Sequence, residues 1–291
     1  MAGSAKGWKA VVLAIPSRCE EDLVALVAGQ VLGVQVEPDT PQRSRMELYV
    51  ETDSDLRALK ETVAGFLTRS GIDPSDCALT EKDVPDGRWV EAYQESLHPF
   101  PAGQRFMIYP GDPPREREGA RMPILLVPGR AFGTGEHATT RLCLEALERA
   151  VSPGSRWLDV GCGSGILGVA AALLGAEAVA AVDNDPDAVD VCREVAEANQ
   201  VAGAVTVVEG SLQQITETGL DGIVANIHAP FFLEHAAGIQ RLLRTGGVLL
   251  CTGFLLDDVP EIGRALAGAG LVVRETREEG EWALILADSP S

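Results

Sequence analysis

The stretch that decides the fold is Trp157-Leu158-Asp159-Val160-Gly161-Cys162-Gly163-Ser164-Gly165-Ile166-Leu167-Gly168. A short apolar run ends there in three glycines at alternate positions, and a helical pattern follows. Strand, glycine turn and helix form the unit with which α/β proteins cradle a phosphate or a nucleoside. Glycines at this density let the backbone turn sharply and approach a ligand without a Cβ in the way. The stretch therefore predicts a ligand-binding loop at the end of a strand.

The spacing of these glycines narrows the class of ligand. A dinucleotide-binding fingerprint, G-x-G-x-x-G, requires a glycine at position 166, where this chain has isoleucine. A Walker loop requires a lysine after the glycines, and none follows. The pattern that starts at Asp159 is D-x-G-x-G-x-G, which favours a nucleoside with an amino-acid tail over a pyrophosphate. We therefore expect S-adenosylmethionine as the cofactor.

The composition is typical of a globular protein with reduced cysteines. The 291 residues suffice for one large domain or two of ordinary size, and 46% of them are hydrophobic. No run approaches the roughly 20 apolar residues of a membrane span, and the first six residues lack the apolar segment of a secretory signal. The six cysteines have no paired spacing, which argues against disulfides and against a metal site. We expect a cytoplasmic protein that binds neither membrane nor metal.

The formal net charge is −19 and is unevenly distributed. Residues 131–291 contain 23 acidic and 9 basic residues, a balance of −14, whereas residues 1–130 have a balance of −5. An acidic surface of this size repels phosphate backbones, so nucleic acid is a poor partner. It would attract a basic protein substrate. The alternative is that the acidity only confers solubility.

Three regions are predicted along the chain. Residues 1–82 have the order βαββαβ of a ferredoxin-like domain, which we interpret as a substrate-recognition domain, with a structural appendage as the alternative. Residues 83–130 are a linker region with a helical segment around Trp89 and Tyr93 and a strand pair. Residues 131–291 alternate regularly between strand and helix, which predicts a mainly parallel α/β sheet closed by an antiparallel hairpin. The predicted strands of this region are 157–160, 178–183, 205–209, 221–226, 248–253, 271–276 and 281–287.

A second glycine-rich loop precedes the first helix of this region. It runs from Gly129 through Gly133, Thr134 and Gly135, and a helix is predicted to start at Thr139 or Thr140. Two close glycines followed by small hydroxyl residues can wrap a ligand. His137 in this loop has two possible roles, as a general base or as a residue that fixes the loop by a hydrogen bond.

Three features fall at carboxyl ends of predicted parallel strands, where such sheets bind ligands. The first is the Gly161–Gly165 loop. The second is Asp183, whose carboxylate can accept both hydroxyl protons of a ribose; a helix cap is the alternative, although Asp185 already occupies that position before Pro186. The third is Asn226, whose amide offers a donor and an acceptor for orienting a cofactor or an incoming amine, or which simply ends the strand in a turn.

Together these features resemble a class I S-adenosylmethionine-dependent methyltransferase. The combination with Ala131-Phe132-Gly133-Thr134-Gly135-x-His137-x-Thr139-Thr140 resembles, more specifically, the PrmA family, which methylates ribosomal protein L11. The resemblance covers nearly the whole chain and implies a Rossmann-like, mostly parallel, seven-stranded sheet with a smaller ferredoxin-like domain before it. It implies methyl transfer to protein amino groups, namely lysine side chains and an N-terminus, by an enzyme that we expect to be a monomer.

The resemblance also implies which residues contact the cofactor. The matching positions are Thr140, Gly161, Asp183 and Asn226, to which we add Gly133, Thr134, Gly135 and Gly163 from the two glycine loops; Asn226 is also the candidate for positioning the amine. Two positions depart from the family pattern: His228 follows Asn226-Ile227 in place of leucine, and Ser211 stands where an acidic residue is frequent. The alternatives are a methyltransferase for another protein lysine or a small molecule, a dinucleotide-binding oxidoreductase, and a scaffold without activity.

Overall fold

The computed structural model describes residues 8–27, 30–31, 33–40, 42–51, 56–77, 79–84, 98–111, 120–127, 135 and 137–290. These residues fall into two compact units, one within residues 8–84 and one within residues 98–290. The predicted linker helix around Trp89 and Tyr93 lies outside the described residues.

The first unit is an antiparallel four-stranded sheet with two helices. Its elements are β1 (Trp8–Pro16), α1 (Glu20–Val27), β2 (Gly33–Thr40), β3 (Arg43–Glu51), α2 (Leu56–Arg69) and β4 (Thr80–Val84). The strand order β2-β3-β1-β4 is that of the predicted ferredoxin-like fold. Alternate residues of β1, namely Val11, Leu13 and Ile15, are at most 1% exposed, and this period of two is what a half-buried strand requires. The sequence Cys77-Ala78-Leu79-Thr80 predicts the last strand of this unit, but that position is wrong, because Cys77 ends a 3₁₀ turn and β4 begins at Thr80.

The second unit contains the strand and helix alternation that follows the opening stretch. Its elements are β5 (Phe100–Ala102), β6 (Phe106–Pro110), β7 (Met122–Leu126), α3 (Ala138–Ala150), β8 (Arg156–Val160), α4 (Ile166–Leu173), β9 (Ala178–Asp183), α5 (Pro186–Ala198), β10 (Val205–Glu209), β11 (Leu220–Asn226), α6 (Ala229–Leu242), β12 (Leu243–Leu255), α7 (Val259–Gly268), β13 (Val272–Glu279) and β14 (Trp282–Asp288).

Seven of these strands form one sheet in the order β10-β9-β8-β11-β12-β14-β13. Strands β8 to β12 are parallel, and β14 runs antiparallel to both β12 and β13. This confirms the predicted mostly parallel seven-stranded sheet with a terminal hairpin. The chain moves outward from β8 to β10 and then returns to place β11 on the other side of β8. Because the order reverses between β8 and β11, a ligand crevice is expected at their carboxyl ends.

A small three-stranded sheet belongs to the same unit, although its residues fall in the region assigned to a linker. Strand β6 pairs with β5 antiparallel and with β7 parallel. Asn199 at the end of α5 fastens β7: its Oδ1 accepts from the Leu125 N–H and its Nδ2 donates to the Leu125 carbonyl, each at 2.8 Å. The Glu148 carboxylate on α3 accepts from the backbone N–H groups of Gln104 and Arg105. Side chains at the end of α5 and on α3, two helices that flank the seven-stranded sheet, therefore hold the small sheet in place.

The centre of the large sheet is packed around Trp157. This side chain is 1% exposed, and its indole Nε1 donates to Ser155 Oγ at 3.0 Å. Gly222 lies opposite it on β11, and a Cβ at that position would stand 2.4 Å from the indole ring. The absence of a side chain at Gly222 therefore leaves room for the Trp157 indole beside β11.

No helix in the described ranges is long and apolar enough to cross a membrane. All six cysteines lie within those ranges; they are buried, and none forms a disulfide.

Candidate cofactor site

The glycine loop leaves β8 and turns directly into α4. Gly161 and Gly165 have φ angles of +66° and +79°, in the left-handed region that residues with a Cβ rarely adopt. A Cβ on Gly165 would stand 2.6 Å from Cys192 Sγ, and one on Gly161 would stand 2.8 Å from the Ile227 side chain. The N–H groups of Gly161 and Cys162 both donate to the Val182 carbonyl, at 2.8 and 3.1 Å. The loop is therefore a compact turn with bare backbone, fixed to the neighbouring strand β9.

Asp183 is the last residue of β9, and its carboxylate links the glycine loop to the loop that follows β9. Its Oδ2 accepts from the Gly163 N–H at 2.9 Å, and its Oδ1 accepts from the Asp185 N–H at 3.0 Å. Asp185 is the N-cap of α5 and accepts from the Asp187 N–H, so Asp183 is not needed as the cap. The half-buried Asp183 carboxylate keeps further lone pairs that a pair of ribose hydroxyls can use.

Asn226 ends β11, on the other side of β8 from Asp183 in the sheet. It is half-buried and paired with Thr252 of β12, and its side-chain amide makes no hydrogen bond within the described part of the chain. The next residue, Ile227, packs against Gly161, so Asn226 adjoins the glycine loop. An amide without an internal partner at this crevice has both a donor and an acceptor available for a ligand.

The second glycine loop is described at Gly135 and from His137 onward; Gly133 and Thr134 lie outside the described residues. A Cβ on Gly135 would stand 3.1 Å from Ile166 Cδ1, which places this loop beside the first residue of α4. His137 is the N-cap of α3, and its Nδ1 accepts from the Thr139 N–H at 3.3 Å. Its ring also packs edge-on against Trp282, with ring centroids 4.8 Å apart. Of the two roles considered for His137, these contacts support the loop-fixing one.

Thr140 contributes a buried hydroxyl to the same region. The residue is 1% exposed, and its Oγ1 has no hydrogen-bond partner within the described ranges. Leaving a buried hydroxyl unpaired costs about 1–3 kcal/mol, so such an atom is usually explained by a bound water or ligand. Thr140 stands in the first turn of α3, next to the loop that touches α4. Its hydroxyl is the group in this helix best suited to hold a polar ligand atom.

The two positions that depart from the family pattern have simple surroundings. Ser211 caps a 3₁₀ turn at Leu212–Gln214: its backbone N–H donates to Gln214 Oε1 at 2.8 Å, and its Oγ accepts from the Gln213 N–H. His228 is the exposed N-cap residue of α6, two positions after Asn226, and its side chain makes no capping hydrogen bond. Ser211 thus has a local structural role, whereas His228 stands beside the crevice.

One charged residue of the site was not singled out from the sequence. Asp159 in β8 is 0% exposed, and its Oδ2 accepts from the Gly168 N–H at 2.8 Å. Its Oδ1 has no hydrogen-bond partner within the described chain. Burial, with a smaller contribution from the negative charge of Asp183, raises the pKa of Asp159 from 3.8 to about 7, against the opposing Gly168 hydrogen bond. The motif showed an acid here, but no sequence signal shows that it is fully buried.

These residues fit S-adenosylmethionine. The bare backbone of the glycine loop accommodates the close approach of a ligand, Asp183 suits the ribose, and Thr140 presents an unpaired buried hydroxyl. The sheet holds no group of three or more metal-ligating side chains in its described residues.

Comparison with known proteins gives the same assignment. The family model described as ribosomal protein L11 methyltransferase (PrmA) matches residues 21–289. A ribosomal protein L11 methyltransferase of Pelotomaculum thermopropionicum is 40% identical over 84% of this chain and 79% of its own length. The one of Synechococcus is 35% identical over 98% of both.

A solved structure, described as ribosomal protein L11 methylase from Lactobacillus delbrueckii subsp. bulgaricus, superposes with a TM-score of 0.61 at 29% identity. The match covers 67% of this chain and 100% of that one. The methyl donor of this chain is S-adenosylmethionine. By these matches, the chain belongs to the ribosomal protein L11 methyltransferase family.

Proposed function

We propose that this protein transfers methyl groups from S-adenosylmethionine to amino groups of ribosomal protein L11, on lysine side chains and at the N-terminus. The observation that carries the proposal is the position of Asn226. Its unpaired amide lies at the carboxyl end of β11, beside the glycine loop that would hold the methyl donor. The relatives at 35–40% identity that are named for this substrate support the choice of acceptor.

Eight residues are proposed to hold the cofactor. The Gly161 and Gly163 backbone would border the methionine and ribose portions, Asp183 would accept from the ribose hydroxyls, and Thr140 and Asn226 would bind polar atoms of the methionine tail. Gly133, Thr134 and Gly135 would close over the bound molecule.

Methyl transfer places few chemical demands on the protein. The sulfonium of the cofactor supplies an electrophilic methyl group, so the protein must align a neutral amine with it. Asn226 would accept a hydrogen bond from that amine and hold its lone pair towards the methyl. Removing the ammonium group of a lysine from water lowers its pKa, which favours the neutral form in the crevice.

Charge and domain organisation support a protein substrate. The balance of −14 in residues 131–291 attracts a basic protein and repels nucleic acid. We propose the region 1–82 as the recognition domain for that substrate, 83–130 as the connection and 131–291 as the methyltransferase domain. We also propose that the protein acts as a monomer in the cytoplasm.

The test is methyl transfer with labelled cofactor. Purified protein is incubated with methyl-labelled S-adenosylmethionine and, in parallel, with purified ribosomal protein L11, an unrelated lysine-rich protein and a set of small amines. Label in ribosomal protein L11 alone supports the proposal. Label only in another protein or in a small amine would replace it with the alternative of a different acceptor.

The role of Thr140 has a matched control in its neighbour. Thr140→Val removes the unpaired hydroxyl at nearly constant volume, and we expect cofactor affinity to fall roughly fivefold to tenfold, the value of one hydrogen bond. Thr139→Val removes a hydroxyl that lies 2.6 Å from His137 Nδ1, so it should alter thermal stability more than affinity. Equal affinities for Thr140→Val and the wild type, measured by calorimetry, would remove Thr140 from the site.

A further inference from the structure

The chain keeps the alternation of β11 for two residues beyond the end of the strand. Ile223 and Ala225 are buried in a hydrophobic core that β11 shares with α6, and Ile227 packs against the same core. Asn226 stands between Ala225 and Ile227 in the chain, so its side chain points to the opposite side of the sheet. The Ile227 N–H donates to the Thr252 carbonyl of β12 at 2.9 Å, so the backbone is still part of the ladder at this position.

His228 continues this alternation on the side of Asn226. Its backbone angles, φ −58° and ψ 150°, are those of an extended chain, and α6 begins only at Ala229. The residue between Asn226 and His228 is fixed, because the Ile227 side chain occupies the space in which a Cβ of Gly161 would stand. Asn226 and His228 therefore present their side chains at the same edge of the sheet, beside the glycine loop.

The imidazole of His228 is exposed and has no hydrogen-bond partner in the described part of the chain. It makes no capping hydrogen bond at the start of α6, although a side chain at this position commonly accepts one. His235 on the same helix differs, because its ring lies against Phe231 with ring centroids 4.7 Å apart. Of these two histidines, His228 is the one whose ring nitrogen can reach a ligand at the crevice.

A primary amine that is aligned for methyl transfer needs two hydrogen-bond acceptors. The neutral amine has two N–H groups and one lone pair, and the lone pair is directed at the methyl group only when both N–H groups are held. The Asn226 side chain has a single acceptor oxygen, because its nitrogen is a donor, so it can hold one N–H group. A neutral imidazole supplies one further acceptor nitrogen. His228 places such a nitrogen beside Asn226.

We propose that His228 is the second acceptor for the substrate amine, so that Asn226 and His228 together hold the two N–H groups of a neutral lysine side chain. This role rests on the proposed function, methyl transfer to amino groups of ribosomal protein L11. In the transfer, the amine lone pair forms the new C–N bond, the C–S bond breaks with its electron pair left on sulfur, and the surplus proton of the methylated amine passes to solvent. His228 stands where the family pattern has leucine, which has no acceptor atom.

The test compares two substitutions of His228 with one of His235. His228→Leu removes the acceptor nitrogen, His228→Gln replaces it with an amide oxygen, and His235→Leu removes an imidazole farther along the same helix. The kcat and KM for ribosomal protein L11 from a strain lacking this gene are measured with labelled S-adenosylmethionine. The assay is run at about pH 8, where an ordinary imidazole is neutral. Calorimetry gives the cofactor affinity of each variant.

We expect kcat to fall roughly fivefold to tenfold in His228→Leu, the value of one hydrogen bond. In His228→Gln and His235→Leu it should stay within about twofold of the wild type, and cofactor affinity should be unchanged in all three variants. A kcat of His228→Leu equal to that of the wild type, equal losses in the two His228 variants, or a fall in cofactor affinity that matches the loss of kcat would overturn this inference alone. If the wild type transfers no label to ribosomal protein L11, the proposed function fails and the role of His228 fails with it.

Discussion

The burial of Asp159 predicts how the stability of the protein depends on pH. Burial gives this carboxyl a pKa of about 7 in the folded protein, against 3.8 for an ordinary aspartate. A raised pKa means that the folded state prefers the neutral form. The unfolded chain therefore gains more from ionisation than the folded protein, and stability falls as the pH rises from about 4 to about 7. At about 1.4 kcal/mol per pKa unit, the full loss is roughly 4 kcal/mol.

The substitution Asp159→Asn removes this dependence. Any constant difference between amide and carboxyl cancels when two pH values are compared, so the advantage of the variant over the wild type should grow by roughly 2–3 kcal/mol between about pH 5 and about pH 8. The assay is urea unfolding of both proteins, without cofactor, followed by circular dichroism at each pH. The error of such a comparison of unfolding free energies is about 0.5 kcal/mol. A stability difference between variant and wild type that changes by less than this between the two pH values would refute the assignment of a neutral, buried carboxyl.

Two further predictions concern the sheet and its ligand edge. Gly222→Ala would place a methyl group 2.4 Å from the Trp157 ring and should destabilise the protein by roughly 1–3 kcal/mol or more. The control is Gly263→Ala in α7, where no atom lies within 4 Å of the new Cβ. This control should be neutral or should stabilise the protein by up to about 1 kcal/mol. Equal unfolding midpoints for the two variants would contradict the packing argument. Asp183→Ala should abolish cofactor binding measured by calorimetry while circular dichroism stays that of the wild type, and unchanged affinity would exclude the ribose role.

The strand and helix pattern of the large sheet was predictable because glycine and proline mark its element ends. Strands β9 and β10 were predicted to the residue at Ala178–Asp183 and Val205–Glu209. Strand β12 is longer than the predicted 248–253 and spans Leu243–Leu255. Its pairs with β11 begin at Leu243, and its pairs with β14 end at Leu255. Such pairing is a tertiary effect that local propensity does not contain.

The site was predictable in its residue types and only partly in its interactions. Glycines at alternate positions and an acid at the end of the next strand identify the cofactor crevice from sequence alone. The sequence could not show that His137 caps a helix or that Ser211 bonds to Gln214. It also could not show that one oxygen of Asp159 has no hydrogen-bond partner in the described residues, because that depends on how β8 is buried in the folded unit.

The central claim is methylation of ribosomal protein L11, and the most direct test is mass spectrometry of that protein from cells. Ribosomal protein L11 is isolated from a strain lacking this gene and from the same strain complemented with the wild type or with Asp183→Ala. The proposed function predicts unmodified amino groups in the deletion strain and in the Asp183→Ala strain, with methylation restored by the wild type alone. The same methylation of ribosomal protein L11 in all three strains would contradict it.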